Sequence, residues 1–429
     1  MKKQYSSMFS ITVLKNKLRI ITVPMKNTKT VTVLVLVGAG SKYETKEQNG
    51  ISHFLEHMFF KGTKKRPNTL KISEALDKVG GVYNAFTSKE VTGYFAKVDS
   101  SHFDLALNWV SDIFLNSKIE EKEIKKEKGV IVEEINMYQD MPMKYVSDLW
   151  EKLLYGNQPA GWFVAGEKEN ILRFKRKDFL EYITNHYSSQ NTVICIAGDF
   201  KQEEALRKVR KYFKNISDNK PKDKIKVIEK QRKPQVSLHF KKTDQTHLCL
   251  GVRAYNLSNK ERYAQGILAI ILGGNMSSRL FISVRERNGL AYYIHTESEA
   301  YTDTGYLVTQ AGVSHKDIML AIKLILKEYK NIRNKKISSQ ELQKTKDYIK
   351  GILTLSLESS DAQTSFFADQ ELLQGEILTS EEKIARINKI TVQDVLEVAQ
   401  DIFTPEKLNL AVIGPHKNKE DFQKLLKFN

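Results

Sequence analysis

Apolar and polar positions divide the chain into runs of two periods. Thr30-Val31-Thr32-Val33-Leu34-Val35-Leu36-Val37 is rich in β-branched residues and stops at Gly38-Ala39-Gly40, which predicts a buried strand. Ile51, Phe54, Leu55, Met58 and Phe59 recur three and four apart, the spacing of a helix with one face in a core. Ile72, Leu76 and Val79 repeat that spacing between Leu70 and Val79, and Gly80-Gly81 ends the helix. Val82 to Val98 reads as two hairpin strands, Phe103 to Phe114 and Glu121 to Leu154 as helices, and Asn191 to Ala197 as a strand closed by Gly198-Asp199. At the start, Met8 to Leu14 reads as a strand that enters a turn at Lys15-Asn16-Lys17.

Residues 216 to 235 interrupt this order with a polar, apolar-poor stretch that includes Asp218-Asn219-Lys220-Pro221-Lys222-Asp223-Lys224, and read as an interdomain linker. The plan then repeats. Val236 to Leu250 is strand-like, Tyr263 to Leu272 is a helix ending at Gly273-Gly274, and Leu408 to Gly414 echoes the Asn191 to Gly198 strand. The expectation is two related halves, 1–215 and 236–429, in each of which strands and helices alternate. A length of 429 residues suits that division.

Hydrophobic content of 41% beside 28% charge is ordinary for a globular protein, and no run approaches the ~18 apolar residues of a membrane span. Met1-Lys2-Lys3 precedes an apolar run too short for a signal peptide, with no small-residue cleavage site, so a cytoplasmic location is expected. The formal charge of +17 is spread over scattered lysines without an aromatic-rich binding signature, which argues against a nucleic-acid partner. Cys195 and Cys249 lie in apolar strand-like runs and read as buried, unpaired thiols.

The chemistry concentrates in His53-x-x-Glu56-His57 on the first predicted helix. Residues four apart share a helix face, so both imidazoles can meet one ion while Glu56 lies beside them. Two imidazoles and a carboxylate are common ligands of a catalytic zinc, and this order is the inverzincin pattern. The helical stretch from Glu121 offers the third ligand. Glu127 and Glu134 are seven apart and point nearly the same way, whereas Glu133 is turned about 100° aside, so Glu134 is the better ligand and Glu127 would orient a ligand from behind. The plainer alternative for so charged a helix is a row of carboxylates facing water.

These residues, with Glu134 lying 77 positions beyond His57, resemble the M16 family of zinc metallopeptidases. Gly80-Gly81-Val82-Tyr83-Asn84-Ala85-Phe86-Thr87-Ser88-Lys89-Glu90-Val91-Thr92 is similar to that family's substrate-binding strand, and the stretch from Ser277-Ser278-Arg279-Leu280-Phe281 through Arg285 to Gly289-Leu290-Ala291-Tyr292 to its second-half motif. The resemblance implies an α+β chain of two homologous domains, each a mainly antiparallel sheet packed with helices in the LuxS-like metallohydrolase manner, together half of a clamshell. It implies a zinc-dependent endopeptidase that acts on peptides or unfolded segments inside a closed chamber. It implies one Zn²⁺ per chain on His53, His57 and Glu134, with Glu56 as general base. The edge strand carrying Asn84, Ala85 and Phe86 would pair with the substrate backbone. Arg285 and Tyr292 would contact substrate and transition state; Tyr293 and His295 stand close by, and only the family spacing picks Tyr292. The short chain is expected to form a homodimer in which Arg285 and Tyr292 serve the partner's zinc site. The alternative within the family is a non-catalytic scaffold or partner subunit. One departure, Gln158-Pro159-Ala160-Gly161 where the family often has His-Pro-x-Gly, removes no ligand.

Overall fold

The computed structural model describes residues 3–5 and 8–428, so Met1 and Lys2 of the basic start lie outside the described residues. The first sheet holds β1 (Lys3–Tyr5), β2 (Ser10–Val13), β3 (Arg19–Pro24), β4 (Thr30–Val37), β5 (Val82–Thr87), β6 (Thr92–Asp99) and β7 (Thr192–Gly198). Their order is β1-β2-β3-β7-β4-β6-β5, with β5 at one edge, and every pairing is antiparallel except β3 with β7. The second sheet holds β8 (Gln235–Phe240), β9 (Thr246–Ala254), β10 (Ala291–Ala300), β11 (Gly305–Val313) and β12 (Leu408–Gly414) in the order β10-β11-β9-β12-β8, with β12 and β8 parallel. Reading outward from the parallel pair, β3-β7-β4-β6-β5 matches β8-β12-β9-β11-β10 strand for strand. The repeat seen faintly in the sequence is therefore a repeat of topology, α+β in both copies.

The helices used below are α1 (Ile51–Met58), α2 (Thr69–Asp77), α3 (Phe103–Asn116), α4 (Glu121–Gln139) and α5 (Pro142–Tyr155). Period-two alternation gives each sheet two apolar faces. In the first sheet Val31, Val33, Val35, Ile194 and Ile196 face the core containing α1 and α3. Ile21, Val23, Leu34, Leu36 and Val193 face the other way, onto Phe367 and Ala368 of the helix Ser360–Leu373. In the second sheet Leu250, Val252 and Leu410 face one core, and Cys249, Val308, Ala411 and Ile413 face Trp150 and Leu154 of α5. Each half of the chain thus lends a helix to the sheet of the other half.

The compact units follow this exchange. One comprises 1–135, 163–225 and 353–379; the other comprises 136–162, 226–352 and 380–429. They differ from contiguous domains of 1–215 and 236–429 because the covering helix of each sheet comes from distant sequence. The break at 225–226 falls inside the expected linker, where residues 217–232 form neither helix nor strand.

Two further expectations need correction. Glu121 to Leu154 is not one helix, because α4 stops before Pro142, whose missing N–H and fixed φ suit the first turn of α5. Val236 to Leu250 is not one strand, because the polar run Lys241-Lys242-Thr243-Asp244-Gln245 separates β8 from β9. Both cysteines are free and buried, as expected. Among the described residues no helix is long and apolar enough to cross a membrane.

The exchange has a measurable cost. A fragment of residues 1–225 would bare Ile21, Val23, Leu34, Leu36 and Val193, side chains worth about 1.5–3 kcal/mol each when buried. Their sum, about 7–15 kcal/mol, is as large as the whole stability of a typical domain. The fragment is expected to show no cooperative thermal transition by circular dichroism, and fusing residues 353–379 to it through a flexible linker should restore one. A cooperative melt of the bare fragment would contradict this.

Candidate metal centre

Helix α1 is seated by groups that lie apart in sequence. Gly50, at φ 99°, precedes the first turn in the left-handed region, where a side chain would be strained and would also meet the backbone of Ala165 and Gly166. The buried Glu44 carboxyl accepts hydrogen bonds from Gly50 N (2.8 Å), Ser52 N (2.9 Å) and Asn49 Nδ2 (3.0 Å), so it caps the helix, although burial raises its pKa against these bonds. Ser52 Oγ and Tyr182 OH lie 2.7 Å apart on the buried side. With Ile51, Phe54, Leu55 and Met58 in the core, the face bearing His53, Glu56 and His57 is left for chemistry.

Helix α4 buries Ile124, Glu127, Ile131 and Ile135. The same face brings Glu127 and Glu134 to α1. Glu134 Oε2 lies 3.6 Å from His53 Nε2 and 3.4 Å from His57 Nε2. Among the described residues these three are the group whose donor atoms could hold one metal ion, all within 4.8 Å of one another. Donors about 2.0–2.2 Å from a tetrahedral zinc stand roughly 3.3–3.6 Å apart, a range that both Glu134 edges match. Glu133, the neighbour set aside on helical geometry, is not in the group.

Glu127 Oε1 lies 2.9 Å from His57 Nδ1, and Lys61 Nζ donates to Glu127 Oε2 at 2.7 Å. A carboxylate can only accept, so Nδ1 carries the proton and Nε2 is the nitrogen turned to a metal. Burial raises the Glu127 pKa, but the hydrogen bonds from His57 and Lys61 outweigh it and hold the group below its ordinary value. Burial likewise opposes charge on His57, yet Glu127 and Glu134 prevail and raise its pKa to about 9. A field that holds a proton there also favours a divalent cation in its place. His53 has no comparable support: its buried Nδ1 finds no hydrogen-bond partner among the described residues.

Glu56 stands outside the donor set. Its Oε2 accepts a 2.5 Å hydrogen bond from Thr87 Oγ1 on β5. An open cavity of about 290 Å³ beside it is lined by Glu56, His57, Phe60, Lys61, Tyr83, Asn84 and Glu127. Asn84 and Ala85 lie mid-strand on β5, paired with Phe95 and Tyr94 of β6, and Phe86 pairs with Gly93. Among the described residues the other side of β5 is unpaired. Asn84 Oδ1 folds back to accept from Ala85 N–H at 2.9 Å, satisfying a donor that a peptide strand would otherwise take.

Arg285 and Tyr292 belong to the other compact unit. Arg285 lies on the helical turn Phe281–Glu286 and Tyr292 on β10, so no single helix spans them. The Arg285 guanidinium is 4.9 Å from the Phe281 ring centre and 5.7 Å from that of Tyr292. Tyr292 sits at a β-bulge, since Ala291 pairs with Val313 while Tyr293 pairs with Gly312. Bulges re-aim side chains. Tyr292 is 76% exposed, whereas Tyr293 lies 2.9 Å from His247 Nδ1 through its hydroxyl, so the geometry tells the two tyrosines apart.

Sequence reasoning missed Glu44, Lys61 and Thr87. Lys61, four beyond His57 on the continuing helical spacing, offered the one available signal.

A family model described as insulinase, peptidase family M16, matches residues 19–167, and one described as the peptidase M16 inactive domain matches 173–349. The chain is 38% identical over 405 residues to an uncharacterized zinc protease of Bacillus subtilis, covering 94% of this chain and 98% of that one. It is 32% identical to an uncharacterized zinc protease of Streptomyces coelicolor, over 95% of this chain and 90% of that one. Among solved structures, a protease from Helicobacter pylori superposes with a TM-score of 0.87 at 24% identity, covering 96% of this chain and 100% of that one. A peptidase M16 inactive domain from Pseudomonas fluorescens also gives 0.87, at 16% identity, over 95% and 98%. Likeness at these identities speaks for the fold, and the family models and relatives for kinship: the chain belongs to peptidase family M16, the insulinase family, whose relatives of similar length are named zinc proteases.

Proposed function

We propose that the protein is a zinc-dependent metalloendopeptidase that hydrolyses peptides or unfolded segments within a closed chamber, with His53, His57 and Glu134 holding one zinc per chain. The observation that carries this reading is the donor triangle of His53, His57 and Glu134, with edges of 3.4 and 3.6 Å from Glu134 Oε2, and a separate carboxylate, Glu56, on the same helix. When bound, zinc would polarise the scissile carbonyl and acidify a water molecule. Glu56 takes the proton of the attacking water and returns it to the leaving amine. Glu127 keeps His57 in the ligating tautomer, and Lys61 keeps Glu127 ionised. The substrate backbone adds to β5, displacing the Asn84 side chain from Ala85 N–H and freeing its amide to bond the peptide, with Phe86 beside it. Arg285 binds a substrate carbonyl or carboxylate and Tyr292 donates to the developing oxyanion, both from the second subunit of a homodimer. We place this chemistry in the cytoplasm, without a nucleic-acid or membrane partner.

The test joins metal content with activity. The purified protein is expected to carry one zinc and to digest a quenched-fluorescence peptide until a chelator is added. Under limiting zinc, Glu134→Gln should lose the metal, whereas Glu127→Gln should weaken binding by about 10–100-fold, as loss of an outer partner does. A chain that binds no zinc, or equal zinc retention in the two variants, would overturn the assignment.

A further inference from the structure

We propose that Thr87 is a positioning residue for the general base, holding one oxygen of Glu56 so that the other faces the substrate; this rests on the reading of Glu56 given above. The 2.5 Å bond from Thr87 Oγ1 to Glu56 Oε2 joins β5 to α1 across 31 residues of sequence. A hydroxyl donating to an ionised carboxylate forms one of the stronger hydrogen bonds, and threonine's branched Cβ restricts the rotamer that delivers it. Alternation on β5 puts Tyr83, Ala85 and Thr87 on one face, and Tyr83 meets the buried Trp109 on that side, ring centres 5.1 Å apart.

The turn that follows Thr87 is tied to a neighbouring loop. Ser41 N donates to Ser88 O at 3.2 Å and Lys42 N to Lys89 O at 2.8 Å, lacing the turn after β5 to the loop after β4. Within that turn Glu90 accepts from Lys42 Nζ at 2.8 Å, and both side chains are almost fully buried. A buried ion pair does little for net stability, but it specifies one arrangement of the turn, because either charge alone would be costly to bury. The strand that offers its free edge to a peptide therefore also sets the direction of the base. A substrate paired with β5 and the carboxylate that serves it share one frame.

The plainer account is that Thr87 merely satisfies its hydroxyl at a strand end. The two accounts part on kinetics. Thr87→Val keeps the shape and removes the donor, and is expected to lower kcat by about 10–100-fold, the usual effect of freeing a catalytic group, with KM, zinc content and melting temperature unchanged. Thr87→Ser should recover most of kcat, and a crystal structure of Thr87→Val should show the Glu56 carboxylate turned from its parent orientation. A kcat within twofold of the parent, or an unmoved Glu56 in that structure, overturns the proposal. Glu56→Gln assayed in parallel separates the two levels: if it stays active the base assignment fails, whereas if it is inactive and Thr87→Val is normal, only the role of Thr87 fails.

Discussion

Glu56→Gln is expected to abolish peptide hydrolysis while the protein keeps its full zinc content. The carboxylate is turned to Thr87 and lies outside the donor set of His53, His57 and Glu134, so its loss takes nothing from the metal. Glutamine has nearly the same shape, and its carbonyl oxygen can still accept the Thr87 hydroxyl, so the side chain should stay in place. What disappears is a group that can take a proton, a contribution of about 10²–10⁴-fold in rate. Zinc measured by atomic emission beside a peptide assay decides the matter. Turnover above a few per cent of the parent would reject Glu56 as the base, and loss of zinc would mean that it is a ligand.

Two inactive variants are expected to make an active enzyme when mixed. If Arg285 and Tyr292 serve the partner's zinc site, Glu56→Gln subunits lack only the base and Arg285→Ala/Tyr292→Phe subunits lack only the substrate contacts. A mixed dimer of two-fold symmetry then holds one site with both defects and one with neither. Random exchange at equal amounts leaves about a quarter of all sites intact, so activity should return to about a quarter of the parent level. If the residues act within their own chain, every site keeps a defect and mixing restores nothing. Exchange verified by mass, followed by persistent inactivity, would refute the trans arrangement.

What the sequence made legible was what lies on one element. His53, Glu56 and His57 share α1, and Glu127 and Glu134 share α4, so counting residues by helical period was counting angles. That α4 lies against α1 was not in the period; it came from the family resemblance, and the 2.9 Å contact of Glu127 with His57 spans 70 positions. Thr87, Lys61 and Glu44 went unnoticed for a like reason, since each acts only on a separate element: Thr87 of β5 on α1, Lys61 on Glu127 of α4, and Glu44, from the preceding loop, on the start of α1. The bulge at Tyr292 depends on pairing with β11, which no local pattern records. Pro142 is the contrary case, a helix-start signal in plain view within a stretch read as continuous. The helix Ser360–Leu373 carries Phe366 and Phe367 side by side, without the one-sided stripe that would have marked it as the cover of a distant sheet.

That borrowed cover has a consequence in time. The strands of the first sheet are complete once Gly198 has been made, but their second face waits for Phe367 and Ala368. At about 5–20 residues per second the ribosome needs roughly 8–34 s to cross that interval. Throughout it, Ile21, Val23, Leu34 and Leu36 form an apolar surface with no mate on the nascent chain, open to holding factors or to a neighbouring polysome's product. Slowing translation between residues 198 and 367 should therefore lower the soluble yield, while slowing it after residue 379 should not.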